Sequence, residues 1–221
     1  MNNRVHVSGH AAEVPYDLIC VAEWLAQLFL TPFDAERVAA ARTKQGQAAL
    51  RSIGETLNQP EAAEQFCLEL CSGEIPETVT RLQRRHSALF DGVFRDSGAL
   101  PYASAWDGTG RLFGAAVSRT QALLDALDVH IPQGCAEPAD HLSVQLAGLA
   151  EALRQKNAAL TGAMLAELDA WADRFADQIL ETDNGRLYGV AAQFLIALLE
   201  HVQIYHSCEL NREHTASVAL T

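Results

Sequence analysis

The sequence predicts an all-α fold, a compact helical bundle of two helical halves joined by a hinge. Two observations carry this. Apolar residues recur at intervals of three and four along nearly the whole chain, and no alternating apolar–polar run is long enough for a strand. With 221 residues, 49% of them hydrophobic and 20% charged, the chain can bury a proper core and has an ordinary globular composition. The halves are expected at 14–129 and 138–208, with a flexible N-terminus at 1–13, a hinge at 130–137 and a frayed tail at 209–221.

The elements follow in order. Leu18, Val21, Ala22, Leu25, Leu28 and Phe29 make one apolar face, with Pro15 before it and Pro32 as the stop. Asp34 opens a second helical stretch, weakened at Gly46 and resumed through Leu50, Ile53 and Leu57. Pro60 opens a short helix with Phe66, Cys67, Leu70 and Cys71 on one side, ended by Gly73. Val79, Leu82, His86, Leu89 and Phe90 form the next stripe, closed near Gly92. From Phe94 to Gly114 four glycines and a proline signal loop and turn. Phe90, Phe94, Tyr102, Trp106 and Phe113 put unusually many aromatics there, either stapling the loop to the core or facing a partner.

Helix resumes from about Ala115 to Val129 and breaks again at HIPQGCAEP. Three stripes follow: Leu142 to Leu153, Leu160 to Ile179, and Leu187 to Tyr205, the last two separated by the turn Asp183-Asn184-Gly185.

A formal net charge of -12 argues against binding nucleic acid or an anionic membrane surface. Five scattered cysteines suit a reducing compartment. The N-terminus carries no export signal and no apolar run spans a membrane, so the expected location is the cytoplasm. There is no Walker loop, no GxGxxG after a strand and no GxSxG elbow, and Asp107-Gly108-Thr109-Gly110 reads as a turn, so nucleotide binding stays open without a phosphate loop. No helix-turn-helix supports a ligand-sensing regulator. Arg84-Arg85 lies mid-chain and reads as a solvated basic face.

Glu137-Pro138-Ala139-Asp140-His141 is the densest constellation. As helix-start chemistry, Pro138 suits the first turn and the two acids complement the positive helix end. That leaves His141 unexplained. A general-base reading of Asp140 with His141 is weakened because adjacent helical side chains diverge by about 100°. A metal-dependent hydrolase using Asp140 and His141, or Cys67 and Cys71, remains the rival from another class. Both cysteines fall on an apolar stripe, where buried thiols are ordinarily inert. His86, between Leu82 and Phe90, reads as a core histidine or as part of a partner-facing groove.

Three pieces together resemble the TorD/DmsD family of redox-enzyme maturation chaperones. They are Leu89-Phe90-Asp91-Gly92, then Leu100-Pro101-Tyr102-Ala103-Ser104-Ala105-Trp106 running into Asp107 to Gly114, then Glu137-Pro138-Ala139-Asp140-His141, which is similar to the family's E-P-x-D-H signature. The resemblance covers roughly residues 14 to 206. It implies a TorD-like helical bundle without catalytic residues, cofactor or metal of its own. It implies binding of the twin-arginine leader and the apo catalytic subunit of a molybdenum-cofactor enzyme of the dimethyl sulfoxide reductase kind, which aids cofactor insertion and delays export. By motif, Glu137, Pro138, Asp140 and His141 would line the leader site, with Leu89, Phe90, Phe94, Tyr102 and Trp106 as its apolar side. The chain departs from the family pattern at His86, where an aromatic is usual, and at Gly92-Val93, where Gly-Pro is usual. A leader with two guanidiniums and an apolar segment needs carboxylates beside an apolar groove. A monomer is expected, with domain-swapped dimers through the hinge as an alternative.

Overall fold

The structure is a computed structural model and describes residues 16–92, 98–109, 112–130, 137–183 and 185–218. The expected N-terminal segment, most of the hinge, Phe94, Val93 and Asn184 lie outside the described residues. Among the described residues there are ten helices, one 3-10 turn and no strand. The helices are α1 Tyr16–Leu30, α2 Ala35–Arg42, α3 Lys44–Thr56, α4 Pro60–Cys71, α5 Ile75–Phe90, α6 Ala115–Ala126, α7 Leu142–Arg154, α8 Ala158–Asp169, α9 Ala172–Thr182 and α10 Leu187–Val218; the turn is Ala103–Ala105.

The core is continuous across both expected halves. α1 lies along α7, and α10 packs on α4, α8, α9 and α1. α10 is apolar on nearly every face from Leu187 to Leu199, so it belongs inside. Its stretch Leu187–Arg212 is long and apolar enough to cross a membrane by length and composition, but 67% of the relevant window is buried by the rest of the protein, as in a core helix. Two aromatic groups fill the interior. Trp24, Phe66 and Phe194 meet at 5.3 to 6.1 Å. Phe175 is the hub of the other, touching Phe29, Phe90, Trp106 and Trp171.

Several sequence expectations need correction. The break in the second stretch falls at Thr43, which ends α2 and caps α3 by accepting from Gly46 N (3.0 Å). Gly46 is required by closeness, because a Cβ there would stand 2.2 Å from Ala40 O. The stripe Leu160 to Ile179 is two helices, α8 and α9, broken at Ala170 and Trp171. Nothing in local propensity stops the helix there. Buried Trp171 leaves helical geometry (φ −148°) and donates from Nε1 to Gln145 Oε1 on α7 (3.0 Å), so tertiary packing sets the break. α10 continues through Val218, where fraying after Cys208 was expected. Cys71 is exposed and touches Gln47 Nε2 (3.2 Å), while Cys67 is buried.

The turn into α10 is anchored by a buried acid. Asp183 Oδ2 accepts from Tyr188 N (2.9 Å) and Gly189 N (3.2 Å), capping α10. Its Oδ1 pairs with the Arg85 guanidinium of α5, which also donates to Thr182 O. Arg85 is therefore a structural tie, not part of a solvated basic face. Arg84 beside it is exposed.

Candidate functional site

Residues 101–104 lie against the start of α7. Leu142 N donates to Pro101 O (2.8 Å) and Ala103 N to Asp140 O (3.0 Å), forming an isolated antiparallel bridge between Tyr102 and His141. Two backbone bonds are too few to leave a strand pattern in sequence. They join the second and third motif pieces, and Ala99 N donating to Leu89 O (2.7 Å) joins the first.

Helix α7 begins at Leu142, four residues after Pro138, so the acids at Glu137 and Asp140 are not its first turn. Pro138 instead opens a turn in which His141 N donates to Pro138 O (3.0 Å). His141 is the N-cap: its Nδ1 accepts from Ser143 N (3.1 Å) and lies 2.6 Å from Ser143 Oγ. This accounts for the histidine that helix-start chemistry left over.

Asp140 is fully buried. Its Oδ2 accepts from Ser104 N (3.0 Å), and Oδ1 has no partner among the described residues. Ser104 Oγ then accepts from Phe113 N (3.1 Å). The carboxylate thus holds the 3-10 turn, and the turn's hydroxyl holds Phe113. Asp140 and His141 are not bonded to each other, so the pair is not set up as a general-base dyad. Among the described residues, no three His, Cys, Asp or Glu side chains gather as a metal would need.

Phe113 carries a positive φ of 62°, unfavourable for a bulky residue. Asn58, Asp128 and Lys156 share that conformation, but they follow helix ends, where it is common. Phe113 follows no helix, and its ring is 67% exposed next to Leu112 at 43%. Strain of this kind persists where surrounding structure imposes it. Here the Ser104 bond does so, along with Gly114, where a Cβ would press to 3.2 Å from Asp107 Oδ2. Asp107 Oδ1 takes Thr109 N (2.8 Å) and Thr109 Oγ1 (2.6 Å), closing the turn and holding the Asp107 carboxyl below its usual range.

Tyr102 donates to Glu137 Oε2 (2.7 Å) and packs edge-on to His141 at 5.0 Å. Burial, then Glu137, with smaller contributions from Asp140 and Asp91, pushes the phenol's pKa well up. Trp106 donates from Nε1 to Leu100 O (2.8 Å) and sets its ring edge on Phe175. Tyr102, Trp106, Glu137 and Pro138 are half-buried at the surface.

The other expected site residues lie beneath that surface. Leu89 and Phe90 are core, Phe90 stacking on Phe175 and meeting Tyr188 edge-on. His86 is a buried core histidine between Phe90 and Tyr188, with Nε2 unpartnered. These side chains are spent on packing, so they cannot also form an open groove wall in this conformation. Leu112, Phe113, Ser104 and Asp91 join the site without having been among its expected residues. The available signal was an apolar pair, Leu112-Phe113, closed by a glycine in an otherwise polar turn.

Burial pushes the His141 imidazole down to about 4 from 6.5, against the opposing pull of Glu137 and Asp140. A histidine depressed in the fold is neutral there, while the unfolded chain protonates near the ordinary value. Its stabilising contribution is complete above about pH 6.5 and is lost as pH falls toward 4. Urea unfolding at pH 7 and pH 4.5 should show this loss. His141→Asn, which keeps a capping acceptor without a titrating ring, should reduce the difference; an unchanged difference would refute the assignment.

Residues 45–182 match the family model described as nitrate reductase delta subunit. A chaperone protein TorD of Vibrio cholerae is 29% identical, the match covering 80% of this chain and 86% of that protein. A chaperone protein TorD of Shewanella loihica is 27% identical, covering 76% and 83%. The fold resembles the crystal structure of a redox enzyme maturation protein from Archaeoglobus fulgidus, with a TM-score of 0.52 at 18% identity, covering 91% of this chain and 99% of that one.

Proposed function

The chain belongs to the TorD family, whose model is described as nitrate reductase delta subunit, and on that premise we propose that the 98–114 loop face binds the twin-arginine leader of a redox enzyme. The protein is a TorD-family chaperone for redox enzyme maturation. In this reading its client is the apo catalytic subunit of a molybdenum-cofactor oxidoreductase, held in the cytoplasm until the client has received its cofactor. The work is binding and release, not a reaction.

One observation carries the reading: a strained, exposed Phe113 held out on a loop that a buried carboxylate ties to α7. A lone exposed aromatic means little, but one presented at conformational cost, beside Leu112, suits the apolar segment of a leader. Glu137, which accepts from the Tyr102 phenol, and Asp91, whose charge also acts on that phenol, offer carboxylates to guanidiniums. Asp140 supports this face from below.

Fluorescence anisotropy with a labelled twin-arginine leader tests this. Phe113→Gly relieves the backbone strain, so its stability is expected to match the wild type or exceed it by up to about 1 kcal/mol. Leader affinity should fall at least about tenfold, as for loss of a buried anchor. If the wild type fails to bind any leader, or Phe113→Gly binds equally well, the reading is wrong.

A further inference from the structure

Away from the loop face, α5 and the corner between α9 and α10 enclose a groove of about 950 Å³. Arg81, Arg84 and Arg85 fall at i, i+3 and i+4 on α5 and so share a side of that helix. Arg186 lines the groove from the corner. In a chain of net charge -12, these four guanidiniums outnumber the three carboxylates of the lining, Glu69, Glu77 and Asp183. Arg81 is engaged with Glu69 (2.9 Å) and Arg85 with Asp183. Arg84 and Arg186 are exposed, and their guanidiniums make no ion pair or hydrogen bond among the described residues.

Tyr188 also touches the groove but is fully buried, its ring set edge-on against His86 and Phe90, so its hydroxyl belongs to the core. Leu82, Ala88 and Leu187 supply apolar wall among the arginines.

The geometry points to this groove as a docking site for an acidic peptide segment of a partner protein, with its carboxylates on Arg84 and Arg186. A phosphate group usually sits on free backbone N–H groups at a helix start. At α10 the N–H groups of Tyr188 and Gly189 are already taken by Asp183. Recognition therefore falls to side chains on two walls, in a volume at the top of the range for small-molecule sites. That suits a chain with spaced acids and apolar residues between them. A twin-arginine segment is repelled here, so this site is separate from the loop face and does not depend on leader binding there.

The test is an anisotropy titration with a fluorescein-labelled peptide of alternating Glu and Leu, and with its Gln-for-Glu counterpart. Saturable binding of the Glu peptide alone is expected. The Arg84→Glu/Arg186→Glu double variant should weaken it at least about tenfold, with circular dichroism unchanged and leader affinity unchanged. Equal binding of the Glu and Gln peptides, or full affinity in the double variant, would overturn the proposal. So would inorganic pyrophosphate binding in the groove where the Glu peptide does not.

Discussion

Asp183→Ala is expected to lower the stability of the fold by about 3–5 kcal/mol, the usual cost of breaking a buried ion pair by removing one partner. In a chain of this size that is a drop in Tm of roughly 10 °C. Asp183 does three things at once: it pairs with Arg85 and accepts from the backbone of Tyr188 and of Gly189. Without it, two N–H groups at the start of α10 lose their acceptor, and the half-buried Arg85 guanidinium keeps only Thr182 O. Asp183→Asn keeps one of the two acceptor oxygens and loses the charge, so it should fall between wild type and the alanine variant. Thermal and urea unfolding of both variants give the answer. A Tm within about 3 °C of wild type for the alanine variant would mean the tie between α5 and α10 contributes little.

Asp140→Ala is expected to cost about 2 kcal/mol, because Ser104 N–H is left buried without an acceptor. Its larger effect should be on leader binding, reduced at least about tenfold, because Ser104 in turn seats Phe113. Asp140→Asn is the informative partner. An amide oxygen can still accept from Ser104 N, so stability should stay within about 1 kcal/mol of wild type and leader affinity should be largely kept. If the asparagine variant is stable yet loses the leader as fully as alanine does, the charge itself reaches the peptide and the buried-tether account fails.

The helices were legible where the apolar period, a proline start and a glycine stop agree, as in α4, opened by Pro60 and followed closely by Gly73. They were not where packing overrides local preference. The α8–α9 break is written in Trp171 reaching Gln145 on another helix, a contact with no local trace. At the site, the sequence located the three pieces but not their layering. Asp140, His141, Leu89 and Phe90 belong to the motifs yet lie under the surface. A motif marks residues a fold needs, and a buried tether is needed as much as an exposed contact. Exposure of Phe113 and the destination of Arg85 are properties of chain segments brought together, which spacing along one segment does not encode.

The pairing of α1 with α7 bears on how the chain leaves the ribosome. Residues Tyr16–Leu30 are made early, with the apolar face of Leu18, Val21, Leu25 and Phe29 complete, but their partner begins only at Leu142. At roughly 5–20 residues per second, that face waits on the order of ten seconds for α7 to be synthesised. For this interval the nascent protein carries an amphipathic helix without its main partner, with only smaller contacts from α3 and from Phe66 and Phe90 at hand. Arrested chains ending before Arg154 should accordingly be protease-sensitive across α1, and chains long enough to expose α7 outside the tunnel should become resistant there.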